Sequence, residues 1–154
     1  GDVAMAAVVR ETGAGMVAMH MRGTPQDMAG LTGYDDVVGE VEEELRKALV
    51  FAAEQGIAAG QMVIDPGIGF AKDTAQNVAL LAATERFTRL APVLIGVSRK
   101  RFIGELCNEP VPTERVGGSV GIAVWCAMHG AAVVRVHDVK ATRQALTVVQ
   151  ALMA

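Results

Sequence analysis

Side chains that could do chemistry lie at or just beyond the ends of four short apolar runs in this 154-residue sequence. They include Asp65, Lys100 and Arg135, together with the imidazoles of His20 and His137. If the runs are parallel strands, their carboxyl ends meet on one side of the molecule, where α/β proteins bind their ligands. The sequence therefore predicts that one acid, several bases and two imidazoles converge on a single rim.

Asp65 closes an apolar run and is followed directly by a proline and a glycine. Its carboxylate could accept two N–H bonds from a heterocyclic amidine edge, a charge-assisted and specific contact. The glycines that follow permit a tight loop and a close approach to a ligand, and Phe70 could offer a flat face for stacking. The alternatives are that Asp65 only caps the turn and that Phe70 belongs to the core.

Ser98 and Lys100 follow a second apolar run, within the basic segment Ser98-Arg99-Lys100-Arg101. A hydroxyl and an ammonium group at this place could meet a substrate carboxylate or carbonyl oxygen. The alternative is a basic turn that is simply solvated.

Arg135 and His137 are two residues apart at the last apolar run, so the period of a strand puts them on the same side. Together they predict a clamp for phosphate or diphosphate, aided by the N-terminus of the helix that follows. In barrels, phosphate sites often lie at the last strands. The alternative pairs Arg135 with Asp138 and leaves His137 as a core residue.

Met19 and His20 are neighbours at the end of the first run, so only one of them can face the ligand. We expect Met19 to face inward, against a flat ring, and His20 to be structural.

The Gly67–Phe70 segment lacks the third glycine of a dinucleotide fingerprint.

The elements that would position these residues form a βα array. The apolar runs do not alternate with polar residues, which favours parallel strands covered on both faces. Helical patterns lie between them, one starting with the capping box Asp73–Gln76 and the last one capped by Asp138. Such an array forms either an open doubly wound sheet or half of an eight-stranded barrel. The strands are predicted at 16–19, 61–64, 93–97 and 132–136, and the helices at 3–12, 37–55, 73–90, 112–130 and 140–153.

Composition excludes several classes of function. A net charge of −3 without extended basic clusters gives no support for nucleic-acid or anionic-membrane binding. No stretch approaches the ~20 apolar residues of a membrane span. The two cysteines lack metal-ligand spacing, so we expect buried or helix-packed thiols in a reducing cytoplasm.

Taken together, the strand-end segments resemble the dihydropteroate synthase family, in the family's order and across essentially the whole chain. That resemblance implies an α/β fold, the C-terminal half of a pterin-binding (β/α)8 TIM barrel with about four βα units. Residues 1–154 would form one partial domain, with the N-terminal half outside this chain and Gly1 at an artificial, proteolytic or split-chain boundary. The segments are 19–25, 65–72, 96–100, Glu114-Arg115 with Gly118-Ser119, and 135–140.

The resemblance also implies roles for individual residues. Asp65 would hold the amino-pyrimidinone edge of the pterin, Lys100 its carbonyl and ring nitrogen, and Arg135 would stack on it and help hold phosphate. These three are the expected catalytic residues. The remaining expected substrate contacts are Met19 and Gly69 in the pterin pocket, Phe70 and Ser98 at the p-aminobenzoate site, and His137 on the diphosphate.

The implied reaction is that of a transferase in folate biosynthesis, which joins 6-hydroxymethyl-7,8-dihydropterin diphosphate to p-aminobenzoate and releases diphosphate. Catalysis would consist mainly of positioning and leaving-group neutralisation. The family uses Mg2+ on the diphosphate, and we expect its ligands to lie outside this chain. Arg101 departs from the family, which often has a small hydroxyl residue there. Without its other half, the chain is expected to be inactive.

Small-molecule substrates are the expected partners, with no nucleic acid and no membrane. The family's dimers imply a homodimer, and four strands with open edges would also pair with a complementary half-barrel. Two alternative functions remain. One is a methyltetrahydrofolate-corrinoid methyltransferase, which needs neither the Ser-Arg-Lys nor the Arg-x-His segment. The other is a non-catalytic half-barrel that serves as an association module.

Overall fold

The structure is a computed structural model that describes residues 3–153, with only the backbone of residue 3. Within these residues, strands and helices alternate along the chain. The strands are β1 (Met16–Met19), β2 (Met62–Asp65), β3 (Leu94–Ile95) and β4 (Val133–Val134). The helices are α1 (Val3–Thr12), α2 (Val37–Glu54), α3 (Thr74–Ala82), α4 (Thr84–Thr88), α5 (Arg101–Cys107), α6 (Val116–Met128) and α7 (Val139–Met153).

The strands run parallel, as predicted. β1 pairs with β2 so that Met19 lies opposite Asp65, and β3 pairs with β4. A single parallel bridge between Ile64 and Val93 joins the two pairs. The spatial order is therefore β1-β2-β3-β4, and all four carboxyl ends lie on the same side.

Helices cover one face of these strands in the part of the chain that the structure describes. Ala18 and Ile64 lie on the covered face and are buried in the core. On the other face, Val17 and Val133 remain 47% and 42% exposed. The prediction that both faces are covered is therefore wrong for residues 3–153, in which the face that carries Val17 and Val133 is partly exposed.

The predicted helix at 73–90 is interrupted. It begins with the predicted capping box, in which Asp73 accepts from the Gln76 amide. It ends at Ala82, and α4 starts two residues later. The buried hydroxyl of Thr84 donates to the Leu81 carbonyl at 2.7 Å, a local bond that competes with helical pairing.

Other elements also differ from the prediction. The helix expected at 112–130 opens with a 3-10 turn, Pro112–Glu114, before α6. Helix α5 was not predicted, because its basic start and central glycine obscure the short apolar pattern of its two buried hydrophobic residues, Phe102 and Ile103. β3 and β4 are two residues long rather than five, although backbone hydrogen bonds from Ala132 to Val93 and from Arg135 to Ile95 extend their pairing at both ends.

Two predictions from composition can be compared with the structure. Cys126 is buried, and Cys107 is exposed at the end of α5 with its Sγ 3.5 Å from the position of a Cβ on Gly118 of α6, so the two match the expected buried or helix-packed thiols. None of the helices between residues 3 and 153 is long and apolar enough to cross a membrane.

Candidate functional site

Asp65 lies at the end of β2 and is 8% exposed. Its Oδ1 accepts a hydrogen bond from the Gly67 amide at 2.8 Å, so the turn-capping alternative holds for this oxygen. Its Oδ2 lies 4.0 Å from the position that a Cβ on Gly96 would take. Burial raises the pKa of Asp65, although the Gly67 amide and three nearby cations oppose that rise. One carboxylate oxygen thus serves the turn, and the other faces the rim.

Lys100 reaches the same region from the end of β3. Its aliphatic part crosses Gly69, with Cδ 3.0 Å from the position of a Cβ there, and its ammonium donates to the Ile68 carbonyl. Nζ lies 4.6 Å from the centre of the Phe70 ring, a cation–π contact. Burial lowers the pKa of Lys100, and the charge of Asp65 acts in the opposite direction.

Arg135 lies beside Asp65 across Gly96. Its Cβ is 4.0 Å from the same Gly96 Cβ position that Asp65 Oδ2 approaches, and its amide donates to the Ile95 carbonyl at 2.9 Å. Its side chain is exposed and makes no hydrogen bond or ion pair with other residues between 3 and 153. The three predicted groups therefore converge, and a guanidinium without a protein partner is available to an anion.

The alternative that pairs Arg135 with Asp138 is wrong. Asp138 instead binds Arg99, whose Nη2 and Nε donate to its two oxygens at 2.6 and 3.0 Å. These bonds lower the pKa of Asp138. The carboxylate predicted to cap α7 is therefore held by Arg99, while the Asp138 backbone oxygen accepts from Thr142.

The three adjacent cations diverge, which reduces their mutual repulsion. Arg99 binds Asp138, Lys100 faces the site, and Arg101 pairs with Glu105 at 3.2 Å. The solvated-turn alternative thus fits Arg101 alone, whose side chain is 81% exposed.

Arg115 and Ser119 hold this basic turn, although sequence reasoning assigned them no role. Ser119 Oγ accepts from the Arg99 amide at 2.9 Å, where Arg99 has φ +62°. The Arg115 guanidinium donates to the carbonyls of Arg99, Glu109 and Pro110 at 3.0, 2.9 and 2.6 Å. They form part of the Glu114-Arg115 and Gly118-Ser119 segments, which were the available signal.

Replacing Arg115 by methionine should lower the free energy of unfolding by about 2–3 kcal/mol, because three carbonyls lose a charged donor. Urea denaturation of both proteins measures the difference. Arg143→Met is the matched control, since Arg143 is exposed on α7, and it should change stability by less than about 0.5 kcal/mol. Equal stabilities of the two variants would contradict the anchoring role.

Ser98 and His137 contact each other. The buried Ser98 Oγ accepts from the His137 amide at 3.1 Å and lies 3.0 Å from His137 Nδ1. If the hydroxyl donates to Nδ1, the neutral imidazole carries its proton on Nε2. Ser98 thus orients His137, whose exposed ring presents an N–H to the rim.

Met19 and His20 take the orientations that strand alternation predicts. Met19 is 41% exposed and lies opposite Asp65 in the parallel register, so the two share a face. His20 is 4% exposed and lies among structural contacts.

The glycine loop (residues 66–71) joins β2 to Lys72 and contains three residues with positive φ, Gly67, Gly69 and Ala71. Asn77, 2% exposed on α3, accepts from the Gly69 amide at 2.6 Å and donates to the Asp73 carbonyl at 2.7 Å. Sequence reasoning missed Asn77, and its place four residues after the N-cap Asp73 was the only signal.

No role was predicted for Lys72 from the sequence either. It is 5% exposed, and its ammonium donates to the carbonyls of Gly67 and Phe70 and to His20 Nδ1. Because Nδ1 accepts, the His20 proton lies on Nε2, which is 3.0 Å from Glu44 Oε2. Burial is the main cause that lowers the pKa of Lys72 to about 8.

Acid should destabilise the fold through His20. Burial, with a smaller contribution from Lys72, lowers its pKa from 6.5 to about 4. Between these values the unfolded chain binds the proton and the folded chain does not, so stability falls as the pH decreases. From pH 7.5 to 5, His20 should contribute a loss of about 2 kcal/mol.

Urea denaturation at the two pH values measures this loss. His20→Asn, which keeps an acceptor near Nδ1, should remove that part of the pH dependence, whereas His129→Asn should retain it. An unchanged pH dependence in His20→Asn would show that the imidazole is not held neutral.

The described residues do not fit a magnesium site. Within residues 3–153, no group of three or more His, Cys, Asp or Glu side chains could hold a metal ion. Asp65 lies among cations and Asp138 is bound by Arg99, so neither carboxylate offers a free anionic cradle.

Comparison with known proteins identifies the family of this chain. The sequence profile of the family described as "Pterin binding enzyme" matches residues 1–137, which include Asp65, Lys100 and Arg135. The chain belongs to the pterin binding enzyme family. The resemblance read from its strand-end segments is thereby confirmed.

Several relatives of this chain are named dihydropteroate synthase. That of Escherichia coli K12 is 42% identical over 144 residues, covering 93% of this chain and 51% of the relative. The structure of the Thermus thermophilus dihydropteroate synthase in complex with 6HMPPP is 41% identical, with a TM-score of 0.94, and the match covers 99% of this chain and 61% of that one. The Xanthomonas albilineans enzyme in complex with 7,8-dihydropteroate is 44% identical, with a TM-score of 0.92 and coverages of 99% and 56%.

These matches confirm the predicted fold class, part of a pterin-binding TIM barrel. The chain spans about half the length of the curated relatives that it matches. Four parallel strands with helices on one face are the arrangement expected of part of such a barrel.

Proposed function

We propose that this chain supplies the pterin-binding half of a dihydropteroate synthase, which condenses 6-hydroxymethyl-7,8-dihydropterin diphosphate with p-aminobenzoate. The observation that carries the proposal is the convergence of Asp65, Lys100 and Arg135 around Gly69 and Gly96. A methyltetrahydrofolate-corrinoid methyltransferase would not require the two anion-binding groups that follow β3 and β4.

The carboxylate and the two cations suit the two ends of a pterin diphosphate. Asp65 Oδ2 accepts N–H bonds from the amino-pyrimidinone edge, and Lys100 donates to the pterin carbonyl and ring nitrogen. Arg135, free of protein partners within residues 3–153, stacks on the ring and binds phosphate. Met19 and Gly69 form walls of the pterin pocket.

The other substrate groups lie on the same rim. Phe70 forms a wall for p-aminobenzoate, and Ser98 acts near its carboxylate while orienting His137. His137 donates from Nε2 to the diphosphate, next to the N-terminus of α7.

The reaction is a displacement at the hydroxymethyl carbon of the pterin. The arylamine nitrogen forms a bond to that carbon, the C–O bond to diphosphate breaks, and its electron pair leaves with the diphosphate. The amine then loses a proton to solvent. Arg135 and His137 neutralise the charge that develops on the leaving group, and Asp65 and Lys100 keep the ring in place.

We also propose where the chain acts and what it associates with. Residues 1–154 act as one partial barrel domain in the cytoplasm, which associates with a second copy or with a complementary half-barrel. The exposed edges and the uncovered strand face support this association.

Calorimetric titration with the pterin diphosphate tests the proposal. The wild-type chain should bind, Asp65→Ala should lose affinity at least about 100-fold, and the exposed control Asp35→Ala should match wild type. Equal binding by wild type and Asp65→Ala would remove the assignment of the pocket.

A further inference from the structure

The Lys72 ammonium lies under the glycine loop and has no carboxylate within ion-pair distance in the part of the chain that the structure describes. Its three donors are all used, on the Gly67 carbonyl at 3.1 Å, the Phe70 carbonyl at 2.9 Å and His20 Nδ1 at 2.9 Å. A buried cation whose hydrogen bonds all go to neutral acceptors is costly, because the more distant charges of Asp65 and Glu44 offset only part of its desolvation. Such a group calls for a role beyond stability.

The loop above Lys72 needs support. Three of its six residues have positive φ, including Ala71 at +52°, a conformation that side chains rarely adopt. Asn77 holds the loop from the outside through the Gly69 amide. Lys72 holds it from the inside through two carbonyls and connects it to His20, the first residue after β1.

We propose that Lys72 is a positioning residue of the strand-end site. The Lys72 ammonium ties the glycine loop to the end of β1, and this tie holds Asp65 and Gly69 in the orientation that contacts the ligand. The ligand named here, a pterin diphosphate, rests on the proposed function. The tie itself does not, because it is defined by contacts within the chain.

The contacts of Lys72 affect two parts of the ligand site, the Asp65 carboxylate and the Phe70 ring. Gly67 carries the carbonyl that Lys72 holds and the amide that fixes Asp65 Oδ1. Phe70 carries the second carbonyl and the ring beside Lys100. Loss of the ammonium therefore releases the carboxylate and the ring wall together.

Burial lowers the pKa of Lys72 to about 8, so the tie should weaken when the pH rises above that value. Several groups face the ammonium and influence its charge. They are His20, Asp65, Glu44, Arg22 and Lys100, with the Tyr34 ring centre 6.0 Å away.

Amide hydrogen exchange at pH 6.5 tests the tie without a ligand. In Lys72→Met, protection of the Gly69 and Phe70 amides should fall at least about tenfold, while the core amide of Ile64 stays near wild type. The control is Lys47→Met, which removes a cation from the exposed face of α2 and should leave all three unchanged. Protection of Gly69 and Phe70 within twofold of wild type in Lys72→Met would overturn the proposal.

A second measurement does not depend on how well Lys72→Met folds. In the wild-type chain, protection of the same two amides, corrected for intrinsic exchange, should fall as the pH rises from 6.5 to 9.5. In Lys72→Arg, whose guanidinium stays charged, it should not fall. The same fall in both proteins would overturn the proposal.

Calorimetry with the pterin diphosphate then separates the positioning role of Lys72 from the proposed function of the chain. Lys72→Met should bind at least about tenfold more weakly than wild type, and Lys72→Arg should restore most of the loss. If the wild-type chain does not bind, the proposed function fails and the exchange result alone decides the role of Lys72. If Lys72→Met exchanges faster but binds as wild type does, the positioning role is overturned while the proposed function stands.

Discussion

Replacing Gly67 by alanine is expected to lower the free energy of unfolding by more than about 3 kcal/mol, the largest effect of any single substitution considered. A Cβ at this position would lie 1.8 Å from the His20 carbonyl oxygen and 2.9 Å from its carbon. That oxygen belongs to backbone at the end of β1 and cannot rotate away as a side chain would. The strand end, the Lys72 contacts and the Asp65 turn would all have to move.

Gly13→Ala is a matched control for this substitution. Gly67 and Gly13 both have φ +69°, so both alanine variants pay the same conformational cost of about 1–2 kcal/mol. Nothing lies within 4 Å of a Cβ on Gly13. The difference between the two variants in urea denaturation therefore isolates the steric term, and equal stabilities would show that the glycine loop can shift at little cost.

Replacing Arg135 by methionine should weaken binding of the pterin diphosphate by about 100-fold, because a charge-assisted guanidinium–phosphate contact is lost. The loss should be larger for the diphosphate than for 6-hydroxymethylpterin, which lacks the anionic group. Calorimetry with both ligands measures the two losses.

Arg143→Met is the control for Arg135→Met, since it removes an exposed arginine from α7 and should bind both ligands as wild type does. Equal losses for the two ligands in Arg135→Met would assign Arg135 to the pterin ring alone. No loss for either would place it outside the site.

The strand-end residues could be predicted because they depend on a simple rule. In parallel strands the carboxyl ends coincide, so Asp65, Lys100 and Arg135 converge whatever the details of the helices. Alternation along a strand was enough to separate Met19 from His20. The capping box at Asp73 was likewise readable, because it depends on residues three apart in the chain.

The supporting contacts could not be predicted, because they depend on the conformation of single residues. The partner of Asp138 is Arg99 rather than Arg135. Arg99 has a positive φ, which cannot be predicted from the presence of an arginine at that position. Lys72 turns inward after Ala71, again at positive φ, and so becomes buried although lysine is usually exposed. Both lie in turns, where local pattern carries the least information.

The break between α3 and α4 and the unpredicted α5 have a related cause. Thr84 interrupts a continuous helical pattern through a bond from its own hydroxyl to the Leu81 carbonyl. Helix α5 is only seven residues long, and it is stabilised by the burial of Phe102 and Ile103 rather than by helix propensity.

The titration of the Asp65 carboxyl carbon by NMR, in wild type, Lys100→Met and Arg135→Met, most directly tests whether the three groups share one site. Each nearby cation lowers the pKa of Asp65 against the effect of burial, so removing either one should raise that pKa, with the larger rise for Lys100. Arg143→Met should leave it unchanged. An Asp65 pKa that is the same in all four proteins would contradict the shared site and, with it, the proposed pterin pocket.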